Sequence, residues 1–167
     1  MQAAKKPRQP YTYERSWNYV LWLLGRKAYT QKQLRDKLRQ KEASPEIIDR
    51  VMTRLNELKF IDDKAYADMY VRSRKSKKGS IALKQELFQK GISETLVEKS
   101  LEPLSFDSQL VSAKQLLEKY QWRLAKTEAQ KRYGKAYSYL ARRGFPSDVV
   151  REALSGFLED FEDSFRD

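Results

Sequence analysis

Apolar residues recur every three or four positions along almost the whole chain, with long charged residues between them. This spacing places the apolar side chains on one face of an α-helix, which turns once every 3.6 residues. Val, Ile and Thr do not alternate with polar residues, as they would in half-buried strands. The pattern therefore predicts an all-helical protein.

The apolar pattern also repeats along the chain. Three segments that begin at Gln33, Ala82 and Lys135 align without a gap, at offsets of 49 and 53 residues. Such self-similarity indicates a structural unit that occurs three times. The aligned apolar sets are Leu38, Leu87 and Leu140; Ile48, Val97 and Val150; Met52, Leu101 and Leu154; and Leu55, Leu104 and Phe157.

The residues that start and end helices repeat as well. Gly91 and Gly144 fall where a left-handed residue would end a helix. The first copy has Glu42 at that position, so we expect its turn to close differently. In each copy a serine, a good N-cap residue, then stands within one residue of the expected start of the next helix. These serines are Ser44, Ser93 and Ser147.

A further apolar-striped segment precedes each aligned pair of helices, which makes three helices per repeat. One such repeat is too small to bury a sufficient core, whereas tandem repeats share their stacking surfaces. We therefore predict an elongated, curved array of three tandem three-helix repeats. The expected repeats cover residues 15–60, 61–104 and 105–158, between a flexible basic arm at 1–14 and an acidic tail at 159–167.

Composition narrows the range of possible functions. The formal net charge of +11 indicates an anionic partner, such as nucleic acid, an acidic protein surface or a membrane. The chain has no Cys and no His, which removes thiolate, imidazole and ordinary zinc chemistry. It also lacks a glycine-rich phosphate loop. We expect a binding protein without catalytic residues, metal or cofactor, and we interpret the adjacent Asp62 and Asp63 as helix caps.

The expected location follows from segments that the sequence lacks. No apolar run approaches the roughly 18 residues of a membrane span, and no apolar core follows the basic residues at the N-terminus. We therefore expect a cytoplasmic protein that does not bind membranes. Separately, we expect it to be a monomer.

Cations are concentrated between Arg72 and Lys78, where five occur within seven residues without an acid. We predict a loop between helices whose cations bind phosphates or an acidic surface, although a merely solvated loop is the alternative. Lys41, Lys90 and Arg143 occupy equivalent positions in the three copies, so they would belong to one basic stripe, or to ordinary solvated faces. The full candidate set is Lys37, Lys41, Arg72, Arg74, Lys75, Lys77, Lys78, Lys84, Lys90, Arg142 and Arg143.

The middle repeat carries the most specific pattern. It reads Phe60-Ile61-Asp62-Asp63-x-x-Tyr66-Ala67, then Arg72-Ser73-Arg74 and Gly79, then Leu83-x-x-Glu86-Leu87-x-x-Lys90-Gly91-Ile92. In these residues the chain resembles the RecX family, bacterial regulators of the RecA recombinase, and the resemblance extends from Trp17 to Phe157. It implies a non-catalytic protein that binds the RecA filament on single-stranded DNA and inhibits ATP hydrolysis, strand exchange and co-protease activity. DNA repair, recombination and the SOS response are the implied setting.

Two other functions remain open on the residues alone. Three-helix units with basic helices resemble the helix-turn-helix, so a regulator of transcription that binds duplex DNA is the alternative. The third helices, however, carry mixed charge and no evident face of base-reading residues. A nuclease is disfavoured because the chain lacks His and a cluster of acidic metal ligands.

Overall fold

The computed structural model describes the backbone of residues 11–163 and the side chains as far as Phe157. Within this range it contains nine α-helices and no strand, which confirms the all-helical prediction. They are α1 (Tyr13–Leu24), α2 (Gln31–Gln40), α3 (Pro45–Glu57), α4 (Asp63–Arg74), α5 (Ser80–Gln89), α6 (Glu94–Leu101), α7 (Phe106–Ala125), α8 (Ala129–Ala141) and α9 (Ser147–Asp163).

The chain divides into two compact units. The first contains the described residues up to Tyr66 together with the short segment Lys90–Ile92. Its core is formed by α1, α2 and α3, and it includes Val20, Leu34, Leu38 and Leu55, none of which is exposed to solvent. Burial of the apolar stripe of each helix accounts for this three-helix packing.

The second unit contains Ala67–Gln89 and the described residues from Ser93 onward. Its largest apolar cluster joins α7, α8 and α9, and includes Leu117, Leu140 and Val150. The aligned leucines Leu38, Leu87 and Leu140 are all fully buried, as their shared position in the repeat predicts.

Side-chain caps fix several of the helix starts. Thr30 and Gln33 form a reciprocal capping box at the start of α2, and the Ser44 hydroxyl accepts a hydrogen bond from the Ile47 N–H at the start of α3. Ser93 holds the N-cap position of α6 without a side-chain bond, while Ser147 is already the first residue of α9. Asp62 accepts a hydrogen bond from the Ala65 N–H and so caps α4.

The expectation that the turn at Glu42 closes differently is wrong. Glu42 itself adopts a left-handed conformation, with φ of 61°, beside values of 80° for Gly91 and 79° for Gly144. The Ala43 N–H donates to the Leu38 carbonyl at 3.2 Å, and the equivalent Phe145 N–H donates to Leu140 at 3.4 Å. A non-glycine residue accepts this conformation at a cost of about 1 kcal/mol, which the buried core on both sides of the turn outweighs.

The predicted ends fall largely outside the described residues. Residues 1–10 of the basic arm are not described, and α1 begins at Tyr13, inside the range expected for that arm. The backbone of α9 continues to Asp163, but the side chains of the predicted acidic tail lie beyond those described. The boundaries of the three repeats stay a prediction.

Candidate nucleic-acid interface

The basic cluster in the second unit spans a helix end and a short loop. Arg72 and Arg74 lie in the last turn of α4, so the expectation that all five cations share a loop is wrong. Arginine is a good helix former, and its charge favours the negative end of the helix dipole, which explains why α4 continues through Arg74. The loop itself contains only the four residues after Arg74 and then Gly79.

Lys78 is partly buried and held by an internal contact. Its ammonium group forms an ion pair with Glu86 of α5, and the Tyr70 hydroxyl donates to the other oxygen of that carboxylate at 2.8 Å. Burial raises the pKa of Glu86, but the hydrogen bonds from Lys78 and Tyr70 and the nearby charges of Lys78 and Arg74 outweigh it and lower the pKa below its ordinary value. These contacts anchor the end of the loop to α5.

Arg74 is partly held as well, because its guanidinium lies 4.0 Å from the centre of the Tyr70 ring. Arg72, Lys75 and Lys77 are exposed, and none has an acidic partner among the described residues. Of the five cations predicted here, these three are therefore the ones available to an external anion.

The loop then contacts the turn between α8 and α9. The Gly79 N–H donates to the Arg143 carbonyl at 2.9 Å, and the Ile81 N–H donates to the Gly144 carbonyl at 3.0 Å. The Arg143 guanidinium donates to the Lys77 carbonyl at 3.4 Å. The fold thus brings Arg142 and Arg143 beside the loop cations, from a distant part of the sequence.

Glycine is required at position 79 by this contact. A Cβ atom on Gly79 would overlap the backbone of Gly144 and Phe145, and one on Gly144 would overlap Ala82. Backbone atoms cannot rotate away as a flexible side chain can, so the approach depends on both glycines.

Arg142 and Arg143 differ in how they are held. The Arg143 guanidinium lies 4.6 Å from the centre of the Tyr139 ring, which stacks on Tyr120 with 3.9 Å between ring centres. Arg142 is exposed. Lys84, on α5, is also exposed, and its ammonium group lies 5.7 Å from the Phe88 ring centre. The second unit therefore presents Arg72, Lys75, Lys77, Lys84 and Arg142, and holds Arg74, Lys78 and Arg143 in place.

In the first unit, ion pairs neutralise much of the basic face of α2. Asp36 pairs with both Lys32 and Arg39, at 2.9 and 2.8 Å, and Arg35 pairs with Asp49. Lys37 has no acidic partner among the described residues, and the Lys41 ammonium group lies 5.1 Å from the Tyr19 ring centre.

Lys90 contributes through its backbone. Its carbonyl accepts a hydrogen bond from the buried Thr30 hydroxyl at 2.6 Å. Lys41, Lys90 and Arg143 thus share a local position just before a left-handed residue. That these residues form one stripe along all three repeats stays a prediction.

The sequence indicated neither the role of Gln109 nor the helix that Asp63 caps. The Gln109 amide oxygen accepts from the Ser80 N–H at the start of α5 at 2.9 Å, and Asp63 accepts from the Gln31 N–H at the start of α2, also at 2.9 Å. Burial raises the pKa of Asp63, more than the hydrogen bond from Gln31 lowers it, and the neighbouring Asp62 raises it further. Asp63 is thus a helix cap, as expected, but it caps a different helix.

The described residues provide no group of three or more His, Cys, Asp or Glu side chains arranged to hold a metal ion. Among the helices within that same range, none is long and apolar enough to cross a membrane.

Nine helices in succession, with cations from distant parts of the sequence brought together where the Gly79 loop meets the Arg143 turn, define a protein of helical repeats. The family follows from sequence models of the first, second and third three-helix domains of RecX, which match residues 17–55, 62–101 and 107–154. The chain belongs to the RecX family.

Individual relatives agree with this assignment. The chain is 34% identical over 143 residues to a regulatory protein RecX of Chlorobium phaeobacteroides (strain BS1), a match that covers 84% of this chain and 92% of the relative. It is also 34% identical to a regulatory protein RecX of Geobacillus sp. (strain WCH70) and 32% identical to that of Bacillus subtilis (strain 168). The matches cover only 53% and 54% of those two proteins, so the chain spans about half their length.

Solved structures share the fold. The crystal structure of RecX from Lactobacillus salivarius superimposes with a TM-score of 0.76 at 26% identity, and covers 90% of this chain and 96% of that one. A second crystal structure, of a regulatory protein RecX, gives a TM-score of 0.77 at 27% identity over 84% of this chain and 70% of the other.

Proposed function

We propose that this chain is a regulator, mainly negative, of the RecA recombinase. It binds the RecA filament on single-stranded DNA and inhibits ATP hydrolysis, strand exchange and co-protease activity, and so modulates DNA repair and recombination. It acts as a cytoplasmic monomer without catalysis. Membership of a family named for regulation supports the general function, and the arrangement of cations supports the choice of partner.

The observation that carries the proposal is the contact between the Gly79 loop and the turn at Arg143. It brings together cations from two three-helix domains, including Lys75, Lys77 and Arg142, while internal contacts hold Lys78 and Arg143. Lysines bind phosphate as point charges, and arginines bind phosphate or carboxylate through two parallel hydrogen bonds. A surface fixed by backbone hydrogen bonds binds an anion with less loss of conformational entropy than a free loop would.

In this mechanism the cations bind phosphates of the single strand and acidic side chains of the recombinase. Successive three-helix domains then contact neighbouring RecA subunits and hinder the subunit motions that accompany ATP turnover. Each phosphate that a cation neutralises on a single strand contributes about 0.7 to the slope of log affinity against log salt concentration. Inhibition through this surface should therefore weaken as salt rises.

The test is RecA ATPase activity on single-stranded DNA, with this protein added at increasing concentrations. The variant carries Lys75→Glu and Lys77→Glu, and Lys78 stays unchanged because its ion pair with Glu86 holds the loop. We expect the concentration for half-inhibition to rise at least tenfold, since two phosphate contacts become repulsive. Equal inhibition by variant and parent would contradict the role of this surface.

A matched control changes the net charge equally elsewhere on the second unit. Lys99→Glu lies on α6, whose described residues form no backbone hydrogen bond to the Arg143 turn. Lys119→Glu lies ten residues beyond Gln109 on α7, roughly 15 Å along the helix. Both lysines are exposed. The double control should inhibit as the parent does, and a loss equal to that of the loop variant would reduce the effect to net charge.

A further inference from the structure

An aromatic platform lies on α1 in the first unit. Tyr19 and Trp22 are three residues apart, so they share a face of the helix, and their rings stack with centres 6.1 Å apart and planes inclined by 19°. Tyr11 meets Tyr19 edge-on, with ring centres 6.1 Å apart. Aromatic contacts thus hold both rings of the platform.

Cations stand at both ends of this platform. The Arg26 guanidinium, from the turn after α1, lies 4.0 Å from the centre of the Trp22 ring, and the Lys41 ammonium group lies 5.1 Å from the centre of the Tyr19 ring. Arg15 is exposed four residues before Tyr19, and so belongs to the same helix face. The resulting stripe along the protein surface reads cation, aromatic, aromatic, cation.

The described residues leave much of Trp22 exposed to solvent. The Trp22 side chain is 53% exposed, although a tryptophan ring gains much free energy from burial. Its contacts with Tyr19 and Arg26 order the ring in advance, so a ligand that stacks on it loses little side-chain entropy. A flat aromatic surface with cations around it suits a ligand that is both planar and anionic.

We propose that Tyr19 and Trp22 stack an unpaired base of single-stranded DNA, while Arg15, Arg26 and Lys41 contact the neighbouring phosphates. Every base presents an aromatic face, and stacking of this kind combined with a basic groove is how proteins bind single strands without sequence preference. The exposed Arg26 side chain leaves the ring for a phosphate as the base stacks. This contact deepens the proposed function and rests on it, by adding a DNA site separate from the Gly79 loop.

Other occupants fit the charges less well. The N-terminal segment before Tyr11 carries Lys5, Lys6 and Arg8 without an acid, so Arg26 and Lys41 would repel it. Duplex DNA keeps the faces of its bases stacked on one another, which leaves none for the platform. An acidic protein segment would satisfy the cations but would leave the indole ring unstacked.

The experiment measures DNA binding by the full chain in the absence of RecA, so that it stays independent of the ATPase test. Two fluorescein-labelled probes of equal length are compared by anisotropy: an oligodeoxyadenylate and a strand of abasic residues with the same phosphates. The parent should bind the probe with bases several-fold more tightly, because only this probe can stack. Equal affinity for the two probes would overturn the proposal.

Three variants make the test specific. Trp22→Ala should lose roughly tenfold in affinity for the oligodeoxyadenylate, with the salt slope unchanged because no charge is removed. Trp22→Tyr should keep most of the affinity, since its ring still stacks. Phe106→Ala removes an aromatic side chain that is 42% exposed on the second unit, and should match the parent.

The remaining outcomes each support or overturn the proposal that the platform stacks a base. Parent-like affinity of Trp22→Ala for the oligodeoxyadenylate would overturn the proposal. So would normal DNA binding by Trp22→Ala combined with lost inhibition of RecA, because the platform would then be a protein contact. Loss of DNA binding by Trp22→Ala, with the Gly79 loop still required for inhibition, would support both sites.

Discussion

Two contacts between successive three-helix domains, called joints below, share one geometry but are formed by different chemical groups. In each, the start of the second helix of one three-helix domain meets the turn between the second and third helices of the next. In the first unit the Thr30 hydroxyl donates to the Lys90 carbonyl, and in the second the Gly79 N–H donates to the equivalent Arg143 carbonyl. A side chain from the first helix of the next domain completes each joint: Asp63 accepts from Gln31, and Gln109 accepts from Ser80.

The difference lies in how closely the backbones approach. The atoms nearest to a Cβ placed on Gly91 belong to the Lys32 side chain, whereas those nearest to one placed on Gly79 belong to the backbone of Gly144 and Phe145. At the first joint the two domains therefore meet mainly through side chains, and at the second they meet through backbone atoms. A close backbone contact restricts the positions of the residues on either side of it more than a side-chain contact does, and the proposed RecA surface needs its cations in fixed positions.

Of the substitutions at the two joints, Gly79→Ala should lower the stability of the protein most. The added methyl group forces the backbones apart and breaks the hydrogen bonds from Gly79 and Ile81, so we expect a loss of roughly 2 to 4 kcal/mol in the free energy of unfolding. Urea denaturation followed by circular dichroism measures it. Inhibition of RecA should weaken as well, although every cation is retained.

The control for Gly79→Ala is another glycine-to-alanine change on the second unit. Gly134 lies within α8, and a Cβ atom there would meet nothing within 4 Å. Gly134→Ala should therefore stabilise the protein by about 0.5 to 1 kcal/mol, because alanine favours the helix. Equal stability of the two variants would mean that the second joint does not depend on close backbone approach.

Thr30→Val tests the first joint and should have a smaller effect. Valine keeps the shape of the buried side chain but loses both the bond to the Lys90 carbonyl and the N-cap bond from Gln33, for about 1 to 2 kcal/mol. The same denaturation experiment applies. Thr12→Val removes an exposed N-cap bond of 3.4 Å on α1, and should cost less. If the two valine variants lost equal stability, the contact with Lys90 would contribute nothing beyond the cap.

The fold could be predicted from the sequence because its determinants are local. Periodic apolar positions such as Leu38, Leu87 and Leu140 place the core, and caps such as Ser44 act within three residues. The left-handed conformation of Glu42 was not predicted from the sequence. Glycine is preferred but not required at such a position, because packing on both sides of the turn can outweigh the strain.

The candidate site could be predicted only in part, because its determinants are distant in sequence. A count of charges finds Lys75, Lys77 and Lys78 together, but does not show that Glu86 pairs with Lys78. The hydrogen bond between Arg143 and Lys77 joins residues 66 apart, and that between Gln109 and Ser80 joins residues 29 apart. Neither separation follows from helix periodicity, so only the folded structure reveals which cations are fixed and which are exposed.

Glu86→Gln should have the smallest effect, and it tests a feature that the first unit lacks. The positions equivalent to Lys78 and Glu86 are there Tyr29 and Lys37, so no such ion pair can form. The glutamine leaves Lys78 without its counterion, which should cost about 1 kcal/mol at neutral pH, or roughly 2 to 4 °C in melting temperature.

The pH dependence separates this ion pair from simple loss of packing. Because the folded protein lowers the pKa of Glu86 below its ordinary 4.5, the stabilisation is present above that value and is lost as the pH falls through the lower pKa of the folded state. The difference in melting temperature between parent and Glu86→Gln should therefore be constant near neutral pH and shrink toward zero below pH 4.5. A difference that stayed the same from neutral to acid pH would show that the charge of Glu86 does not hold the loop.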